Sequence, residues 1–450
     1  MIHAFRALGL NIVMDVESGA VHCVDETAYE ILSRLDSASR EEIRRELSPR
    51  FSSDALDQAF DEIDGLIADG QLCTPAPEVE PAGYKGVVKA LCLHVAHDCN
   101  LRCKYCFAQE GGFGRERGLM PASVGKAALD FLVRHSGARR NLEVDFFGGE
   151  PLMNFEVVRE IVAYGRELEK THDKVFKFTL TTNGINLTPE MIEYMHREME
   201  NVVISLDGRK SVHDRMRPTA NGKGSFDLIL PKAKMLAEDR REKSYYVRGT
   251  FSRHNLDFSK DVLFLADQGF DQVSVEPVVA PEDADYSLLP EHVAGICAEY
   301  EKLAEEYVRR RRDGRWFNFF HFNVDLAGGP CLIKRLVGCG AGNEYLAVTP
   351  TGDLYPCHQF VGDDEMRVGS VLDDTLDTRR CACFAANTVL TKPQCSQCWA
   401  KYYCSGGCAA NAYHANGDIA KPYQMGCDLE KKRLECAIAV YVKEALEEQE

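Results

Sequence analysis

The cysteines of this chain are clustered, and the clustering constrains the fold more than any other feature of the sequence. Of 18 cysteines among 450 residues, three fall at 99–106 and ten at 331–427, whereas the stretch 107–330 holds only Cys297. The N-terminal stretch reaches Asp15 and Glu17 too early for a secretory signal, so we expect a cytoplasmic chain. Disulfides are rare in that compartment. Clustered cysteines there predict metal ligands.

Length and net charge narrow the possible classes of function. A chain of 450 residues is long enough for two or three domains. Its 53 Lys and Arg residues against 70 Asp and Glu residues leave a formal charge of −17. This charge disfavours phosphate backbones and anionic lipid, so we expect neither nucleic acid nor membrane as a partner. No apolar run reaches the ~18 residues that a membrane-spanning helix needs.

Strand and helix patterns alternate through residues 89–312. Helical patterns separate or follow six apolar segments with strand character, which are 89–97, 142–147, 175–182, 201–206, 244–251 and 271–278. Repeated strand–helix units predict a parallel sheet built from right-handed crossovers. Six units predict an α/β fold with an open, partial (β/α)6 barrel, whose chemistry lies at the C-terminal ends of the strands.

The two ends of the chain differ from this middle. Residues 1–75 predict two short strands within 11–24 and then helices at 26–36, 40–47 and 53–68, a winged-helix-like plan. A linker rich in Pro and Gly follows at 76–88. A bridging region, 313–338, leads to a cysteine-rich block, 339–450, which ends in a helical tail at 428–448. Little regular structure is expected before that tail, as in folds held by metal ligands.

The most specific motif directly follows the first barrel strand. Cys99, Cys103 and Cys106 are spaced C-x3-C-x2-C. Three thiolates on one loop can hold three irons of a 4Fe–4S cluster and leave the fourth iron open to another ligand. A zinc site is the alternative, and His94 or His97 would then have to supply the fourth ligand.

This loop resembles that of the radical S-adenosylmethionine (SAM) superfamily, in which the three cysteines hold the cluster and SAM occupies the open iron. The aromatic residue expected before the third cysteine is Tyr105 here. The resemblance implies that later strand ends contact SAM. These positions are Gly148, Gly149, Glu150, Pro151, Thr182, Asn183, Ser205, Asp207 and Arg217.

Within that set the resemblance assigns particular contacts. Glu150 would face the SAM ammonium, Ser205 and Asp207 the ribose, and Arg217 the carboxylate through paired hydrogen bonds. Outside the resemblance each is an ordinary turn residue or surface charge. Glu276, at the end of the sixth strand, is expected to line the substrate.

The cysteine-rich block resembles the SPASM domain of radical SAM peptide-modifying enzymes, which carries two auxiliary 4Fe–4S clusters. The resemblance implies three clusters in all. It implies an inner auxiliary cluster on Cys339, Cys357 and Cys408, with Cys331 as a candidate fourth ligand or else an open iron. An outer cluster would be held by Cys395, Cys398, Cys404 and Cys427. Structural zinc sites are the alternative.

The first block resembles the PqqD-like domains that bind leader peptides of ribosomally made natural products. Such domains take a leader as an extra strand at a sheet edge. Here the edge would be 11–24, and the helix 53–68 would form the other wall. A winged-helix domain with a packing role is the alternative, and the low positive charge disfavours DNA.

The whole order resembles the thioether-forming maturases of small cysteine-rich peptides, the SCIFF type of sactipeptide maturase. The resemblance implies that SAM is cleaved to a 5′-deoxyadenosyl radical, which removes hydrogen from a substrate carbon, and we expect this carbon to be an α-carbon. A cysteine sulfur then bonds to that carbon, and the surplus electron leaves through the auxiliary clusters. A flavodoxin or ferredoxin would supply electrons.

Three other functions stay open. Carbon–carbon cross-linking of a peptide is one. Sulfatase maturation is another, although in those enzymes an Asp usually follows the cysteine at the position of Cys357, and here His358 follows. The third is a zinc-stabilised peptide-binding scaffold without catalysis.

Overall fold

An antiparallel sheet and three helices form the N-terminal part. The computed structural model describes residues 1–79, 83–238, 240, 243–326 and 335–448. The sheet has the order β1–β2–β3. Its strands are β1 (Ile2–Ala7), β2 (Leu10–Asp15) and β3 (Val21–Val24), and they are followed by α1 (Glu26–Leu32), α2 (Arg40–Leu47) and α3 (Ser53–Ala68).

Strand β1 was not expected from the sequence. It joins β2 through a turn at Leu8 and Gly9, which have φ values of 51° and 75°. Two-residue hairpin turns need positive φ. Leucine rarely adopts positive φ, so a leucine at this position gives no sequence signal for a turn. The extra strand places β2 in the centre of the sheet. The predicted edge 11–24 is therefore wrong for 11–15, and within the predicted segment only Val21–Val24 lies at an edge of the sheet.

The middle of the chain forms the predicted parallel sheet. Six parallel strands have the order β10–β9–β8–β7–β6–β4, and the sheet does not close into a barrel. They are β4 (Ala90–His97), β6 (Asn141–Gly148), β7 (Val175–Thr182), β8 (Met199–Ser205), β9 (Ser244–Phe251) and β10 (Gln272–Pro277), and the short β5 (Gly118–Leu119) pairs with β4. Every residue of β4 is buried, as expected for a central strand covered on both faces.

Helices cover this sheet close to the predicted positions. They are α4 (Ala122–His135), α5 (Phe155–Thr171), α6 (Pro189–Glu198), α7 (Lys210–Met216), α8 (Phe226–Glu238), α9 (Ser259–Asp267) and α10 (Val293–Arg312). Of these, α7 was not expected, because its seven residues are too few to show a helical period.

The cysteine-rich block extends the same sheet. Strand β12 (Tyr345–Val348) pairs in parallel with β4, and β13 (Asp353–Tyr355) turns back antiparallel to it. Two-residue strands β14 (Gly369–Ser370) and β15 (Thr375–Leu376) continue this edge, while β11 (Asn318–Phe319) pairs with β10 at the other. Strands this short give no sequence pattern. The ladder joins the cysteine-rich block directly to the barrel.

Five further helices complete the described chain. They are α11 (Thr378–Ala386), α12 (Pro393–Ser396), α13 (Lys401–Cys404), α14 (Ala409–Asn416) and α15 (Gln424–Glu447). The last begins slightly before the predicted tail, so that Cys427 lies in its first turn, and it packs along α10. Among the described helices none has an apolar stretch long enough to cross a bilayer.

The N-terminal sheet packs against the C-terminal helix. Apolar side chains of β1 and β2 meet one face of α15 in a single cluster, formed by Phe5, Ile12, Met14, Ile438, Ala439 and Val442. Removing 1–75 would therefore expose apolar surface, and the Pro- and Gly-rich linker is not the sole connection between the two parts.

A buried polar contact strengthens this docking. Lys401 Nζ donates to Glu17 Oε1 over 2.7 Å, and the Tyr402 hydroxyl donates to Glu17 Oε2 over 2.9 Å. Both charged side chains are only 5% exposed. The ring of His3 stacks on Trp399 with centroids 3.8 Å apart. All three partners lie between Cys398 and Cys404, so the N-terminal domain is docked on that segment.

We expect Glu17→Gln to lower the free energy of unfolding by about 3–5 kcal/mol, because it leaves the buried Lys401 ammonium without its counter-charge. Urea unfolding followed by tryptophan fluorescence measures this loss, since Trp399 lies in the contact. Asp173→Asn is the matched control. It breaks an ion pair with Arg140 whose side chains are 90% and 68% exposed, and should cost about 0–1 kcal/mol. Equal losses in the two variants would contradict the buried pair.

Candidate functional site

Cys99, Cys103 and Cys106 lie on one loop directly after β4, and the charges of their thiols act on one another. Burial, and after it the charges of Glu150, Cys103 and Cys106, raises the pKa of Cys99 to about 12. Burial likewise raises the pKa of Cys103 to about 11, although Arg217 opposes this shift. Thiolates are thus unfavourable here unless a cation accompanies them, and metal coordination deprotonates thiols outright. The three residues fit an iron–sulfur cluster.

The Gly148–Gly149 pair lets the end of β6 pass very close to this loop. A Cβ atom on Gly148 would lie 2.3 Å from the Ala96 carbonyl oxygen, and one on Gly149 would lie 2.1 Å from that of Asp98. Gly148 also has a φ of 124°, which side chains rarely allow. The two glycines thus allow a close approach to the chain's own backbone, whereas the resemblance in sequence predicts that they contact SAM.

Glu150 ties the end of β6 to the end of β7. Its fully buried carboxylate accepts hydrogen bonds from the Leu152 amide (3.0 Å), the Thr182 hydroxyl (2.7 Å) and the Asn183 amide (2.7 Å). The Asn183 side chain in turn reaches Cys99 Sγ at 3.6 Å. Burial raises the pKa of Glu150 despite these donors. Pro151 begins the short turn after it.

Asp207 anchors a second group of predicted residues. It has no exposed surface, and it accepts hydrogen bonds from the Tyr105 hydroxyl (2.6 Å), Arg217 Nε (3.0 Å) and the Thr250 amide (3.0 Å). The Arg217 guanidinium lies over the Tyr105 ring, 5.3 Å from its centroid. Ser205 ends β8 nearby and is partly exposed. The SAM contacts of Ser205, Asp207 and Arg217 stay predictions.

An aromatic group connects the cysteine loop with the cysteine-rich block. Phe107 directly follows Cys106, and its half-exposed ring lies 5.5 Å from the ring of His358 and 6.3 Å from that of Phe147. His358 directly follows Cys357 and lies 5.0 Å from Phe147. Burial lowers the pKa of His358 to about 4. Two of the predicted ligand sets are thus adjacent across one apolar contact.

A charged group borders the same edge of the sheet. Arg248 of β9 forms an ion pair with Glu276 of β10. His321 Nδ1 accepts a hydrogen bond from Arg433 (2.9 Å), and its Nε2 shares one with the Ser274 hydroxyl (3.0 Å). Burial would raise the pKa of Glu276, but Arg248 and then His321 hold it below its usual value. Glu276 therefore offers a fixed negative charge at the strand ends, as its predicted substrate-lining position requires.

The cysteine-rich block brings its cysteines together in two sets. The inner set is Cys339, Cys357 and Cys408, which interact electrostatically, and Cys408 also feels the charge of Glu276. The inner set therefore borders the strand edge. The outer set, in which each thiol influences others, is Cys395, Cys398, Cys404 and Cys427.

Burial makes the unbound thiolate form of these cysteines unfavourable. It raises the pKa of Cys357 and Cys404 to about 12, so both positions fit metal-bound thiolates better than free ones. Cys331, the candidate fourth inner ligand, lies outside the described residues. No three described His, Cys, Asp or Glu side chains are close enough to share one metal ion. This finding does not test for an iron–sulfur cluster, because the ligands of a cluster bind different iron atoms.

Several residues of this site were not predicted. Phe107 and His358 each follow a predicted ligand directly, and this adjacency was the one available signal. Phe147 precedes the Gly148–Gly149 turn. Arg248 and Arg433 had no sequence signal, because only the pairing of β9 with β10 and the packing of α15 place them at the edge.

Three protein-family models match the chain. The Radical SAM superfamily matches residues 93–245, the coenzyme PQQ synthesis protein D (PqqD) family matches 11–71, and the SPASM iron–sulfur cluster-binding domain matches 339–399. The chain therefore carries radical SAM, PqqD-like and SPASM domains. They correspond to the parallel sheet, the docked N-terminal domain and the cysteine-rich block, respectively. The radical SAM and SPASM matches support binding of SAM and of iron–sulfur clusters.

Known proteins resemble the chain over most of its length. A cysteine-type anaerobic sulfatase-maturating enzyme of Clostridium novyi is 27% identical over 337 residues, which cover 70% of this chain and 86% of that protein. The structure of anSMEcpe with bound AdoMet has a TM-score of 0.68 at 19% identity, covering 80% of this chain and 96% of that one. Streptococcus suis SuiB bound to its precursor peptide SuiA has a TM-score of 0.53 at 17% identity, covering 93% and 97%. The structural likenesses show a shared fold.

We expect Tyr105→Phe to lower the free energy of unfolding by about 1.5–3 kcal/mol, since it removes a buried hydrogen bond to a carboxylate while keeping the ring. Urea titration measures the difference. Tyr164→Phe is the matched control, because Tyr164 donates to Asp130 over 2.8 Å at the half-exposed surface and should cost less than about 1 kcal/mol. A smaller loss for Tyr105 than for Tyr164 would contradict the anchoring role of Asp207.

Proposed function

We propose that this chain, in which radical SAM, PqqD-like and SPASM domains are combined, forms a thioether cross-link in a small, ribosomally made, cysteine-rich precursor peptide. The observation that carries the proposal is the adjacency of the loop Cys99–Cys106 and the inner cysteine set at one sheet edge, joined by the contact of Phe107 with His358. A substrate carbon at this edge would be near both sets.

In this proposal three 4Fe–4S clusters occupy the three cysteine sets, one on the loop and two in the SPASM domain. When bound, the loop cluster and SAM supply a 5′-deoxyadenosyl radical that takes a hydrogen atom from carbon. The chain's own part is to bind SAM at the strand ends. Gly148, Gly149, Thr182 and Asn183 shape the place for it.

Two pre-arranged charged groups would orient the SAM molecule. Glu150, already tied to two backbone amides, would accept from the ammonium with its remaining capacity. Arg217 is held by Asp207 through Nε and also forms a hydrogen bond to Cys103, and its guanidinium would pair with the SAM carboxylate. Because both side chains are fixed before SAM arrives, little ordering entropy is lost on binding.

The inner set would position the substrate sulfur. If Cys339, Cys357 and Cys408 are its only protein ligands, a substrate cysteine can bind there as a thiolate beside the reacting carbon. The carbon–sulfur bond replaces one C–H and one S–H bond. After the hydrogen atom has left, one proton and one electron must leave the peptide. The outer set is connected to the inner set through the segment Cys404–Cys408, and it would offer the electron a way out to a carrier such as flavodoxin or ferredoxin.

The PqqD-like domain would hold the leader of the precursor. Its free edge Val21–Val24 offers unpaired backbone groups to an added strand, with α3 as the other wall. The structure of SuiB, which is bound to its precursor peptide, covers 93% of this chain, whereas the anSMEcpe structure covers 80%.

Two alternatives have specific points against or for them. Sulfatase-type oxidation is disfavoured because His358 stands after Cys357, and burial keeps the pKa of that imidazole low, at about 4. Carbon–carbon cross-linking needs the same radical but no sulfur ligand at the inner set. Mass spectrometry and thiol counting of the product separate the three reactions. A thioether removes two hydrogens and one free thiol but keeps the sulfur, a carbon–carbon cross-link removes two hydrogens and keeps every thiol, and oxidation of a cysteine to an aldehyde loses the sulfur.

We expect replacement of Cys99, Cys103 and Cys106 by Ala to abolish formation of 5′-deoxyadenosine with a reductant, because no other described set is placed next to Glu150 and Arg217. Iron content should fall by about four per chain and leave the auxiliary signals in place. Replacing Cys23, Cys73 and Cys297 by Ala is the control with equal loss of thiols, and it should leave both unchanged. Continued 5′-deoxyadenosine formation in the first variant would refute the assignment.

We expect the leader segment of a cysteine-rich precursor to slow amide hydrogen exchange at Val21–Val24 at least about tenfold, because an added strand protects edge amides. Exchange mass spectrometry with the full chain measures this. The opposite edge, Ile2–Ala7, is the internal control and should not change. Protection at β1 alone, or at neither edge, would contradict leader docking at β3.

A further inference from the structure

Lys392 is a buried cation between the two auxiliary cysteine sets. Its side chain is 2% exposed, and Nζ donates to the Gly406 carbonyl over 2.9 Å. Burial lowers the pKa of Lys392, and the four charges that oppose this shift all come from thiols, namely Cys395, Cys404, Cys408 and Cys427. Among the described residues, no Asp or Glu forms an ion pair with it.

The Gly406 carbonyl that Lys392 contacts lies in the segment that connects the outer set to the inner set. Cys404 is an outer ligand position and Cys408 an inner one, and the three residues between them all have positive φ. These values are 57° for Ser405, 84° for Gly406 and 72° for Gly407. This left-handed run turns the Gly406 carbonyl toward the ammonium. Lys392 also borders a small cavity together with Cys339 and Gly407.

A buried ammonium with one neutral hydrogen-bond partner destabilises the fold, because the charge has lost its hydration without gaining a counter-charge. Neutral thiols would not compensate for it. Thiolates around bound iron would, since a cluster held by cysteines is net negative and becomes more so on reduction. The structure therefore places an unmatched positive charge where two negatively charged clusters would be bound.

We propose that Lys392 is the charge-compensating residue of the auxiliary clusters, and that its ammonium raises their reduction potentials, most strongly that of the outer cluster. Three of its four thiol neighbours belong to the outer set, which gives this order. The inference rests on the proposed presence of the auxiliary clusters. It extends that function by assigning a residue to the exit of the surplus electron, because a higher potential at the outer set favours transfer outward.

The experiment uses the full chain with Cys99, Cys103 and Cys106 replaced by Ala, so that only auxiliary clusters contribute signals. Midpoint potentials are read by electron paramagnetic resonance during potentiometric titration with dithionite. Lys392→Met keeps the apolar stem and removes the charge. It should lower the outer potential so that the reduced-to-oxidised ratio falls at least about tenfold at a fixed potential, which is about 59 mV for one electron.

Two further variants serve as controls. Lys392→Arg keeps the charge and should retain the parent potential. Lys431→Met removes a lysine that acts on Cys395 and Cys427 from the partly exposed face of α15. Its effect should be less than half as large and should shrink as salt rises, because water and ions screen exposed charges.

Each possible result decides for or against the proposal. Unchanged potential in Lys392→Met, or equal shifts in Lys392→Met and Lys431→Met, would overturn the proposal. Loss of outer-cluster iron in Lys392→Met but not in Lys392→Arg would support it, since charge would then be needed to hold the cluster. Loss in both variants would show a packing role and overturn it. A parent chain that carries zinc and no iron would instead refute the proposed function itself, before any lysine is changed.

Discussion

Strand β4 is the constraint on which the rest of the site depends. It is buried along its whole length, it pairs in parallel with β6 on one side and β12 on the other, and it leads directly into the loop of Cys99–Cys106. Because its two neighbours belong to different domains, one strand sets the position of the barrel edge and of the SPASM block together. The glycines after β6 then close the edge against the backbone that follows β4.

Buried carboxylates make this edge rigid before any ligand binds. Glu150 and Asp207 each accept three hydrogen bonds from different segments, and neither is exposed. Their cost of burial is offset only while those donors stay in place, so each carboxylate holds its segments in one arrangement. Tyr105, Arg217 and Asn183 are positioned in this way. The same logic, with the opposite charge, applies to Lys392 between the auxiliary sets.

The N-terminal domain is part of this architecture rather than a tethered addition. Glu17 contacts Lys401 and Tyr402, and His3 contacts Trp399, all within the segment between Cys398 and Cys404 of the outer set. A domain that binds a leader would therefore be rigidly connected to the outer set. That connection limits where the rest of a bound peptide can reach, and it favours the sheet edge near the inner set.

Much of this protein was determined by the sequence itself. The six strands of the parallel sheet and most of its helices follow from local periodicity, and the cysteine spacings predict the ligand sets, because such patterns depend only on residues close along the chain. Strands of two or three residues, such as β13 and β14, and the leucine turn at Leu8 have no such pattern. Only the tertiary structure decided that β12 joins β4, that Glu17 meets Lys401 across 384 positions, and that Phe107 contacts His358. These contacts join residues far apart in sequence, and burial creates their energetic importance, which no local pattern records.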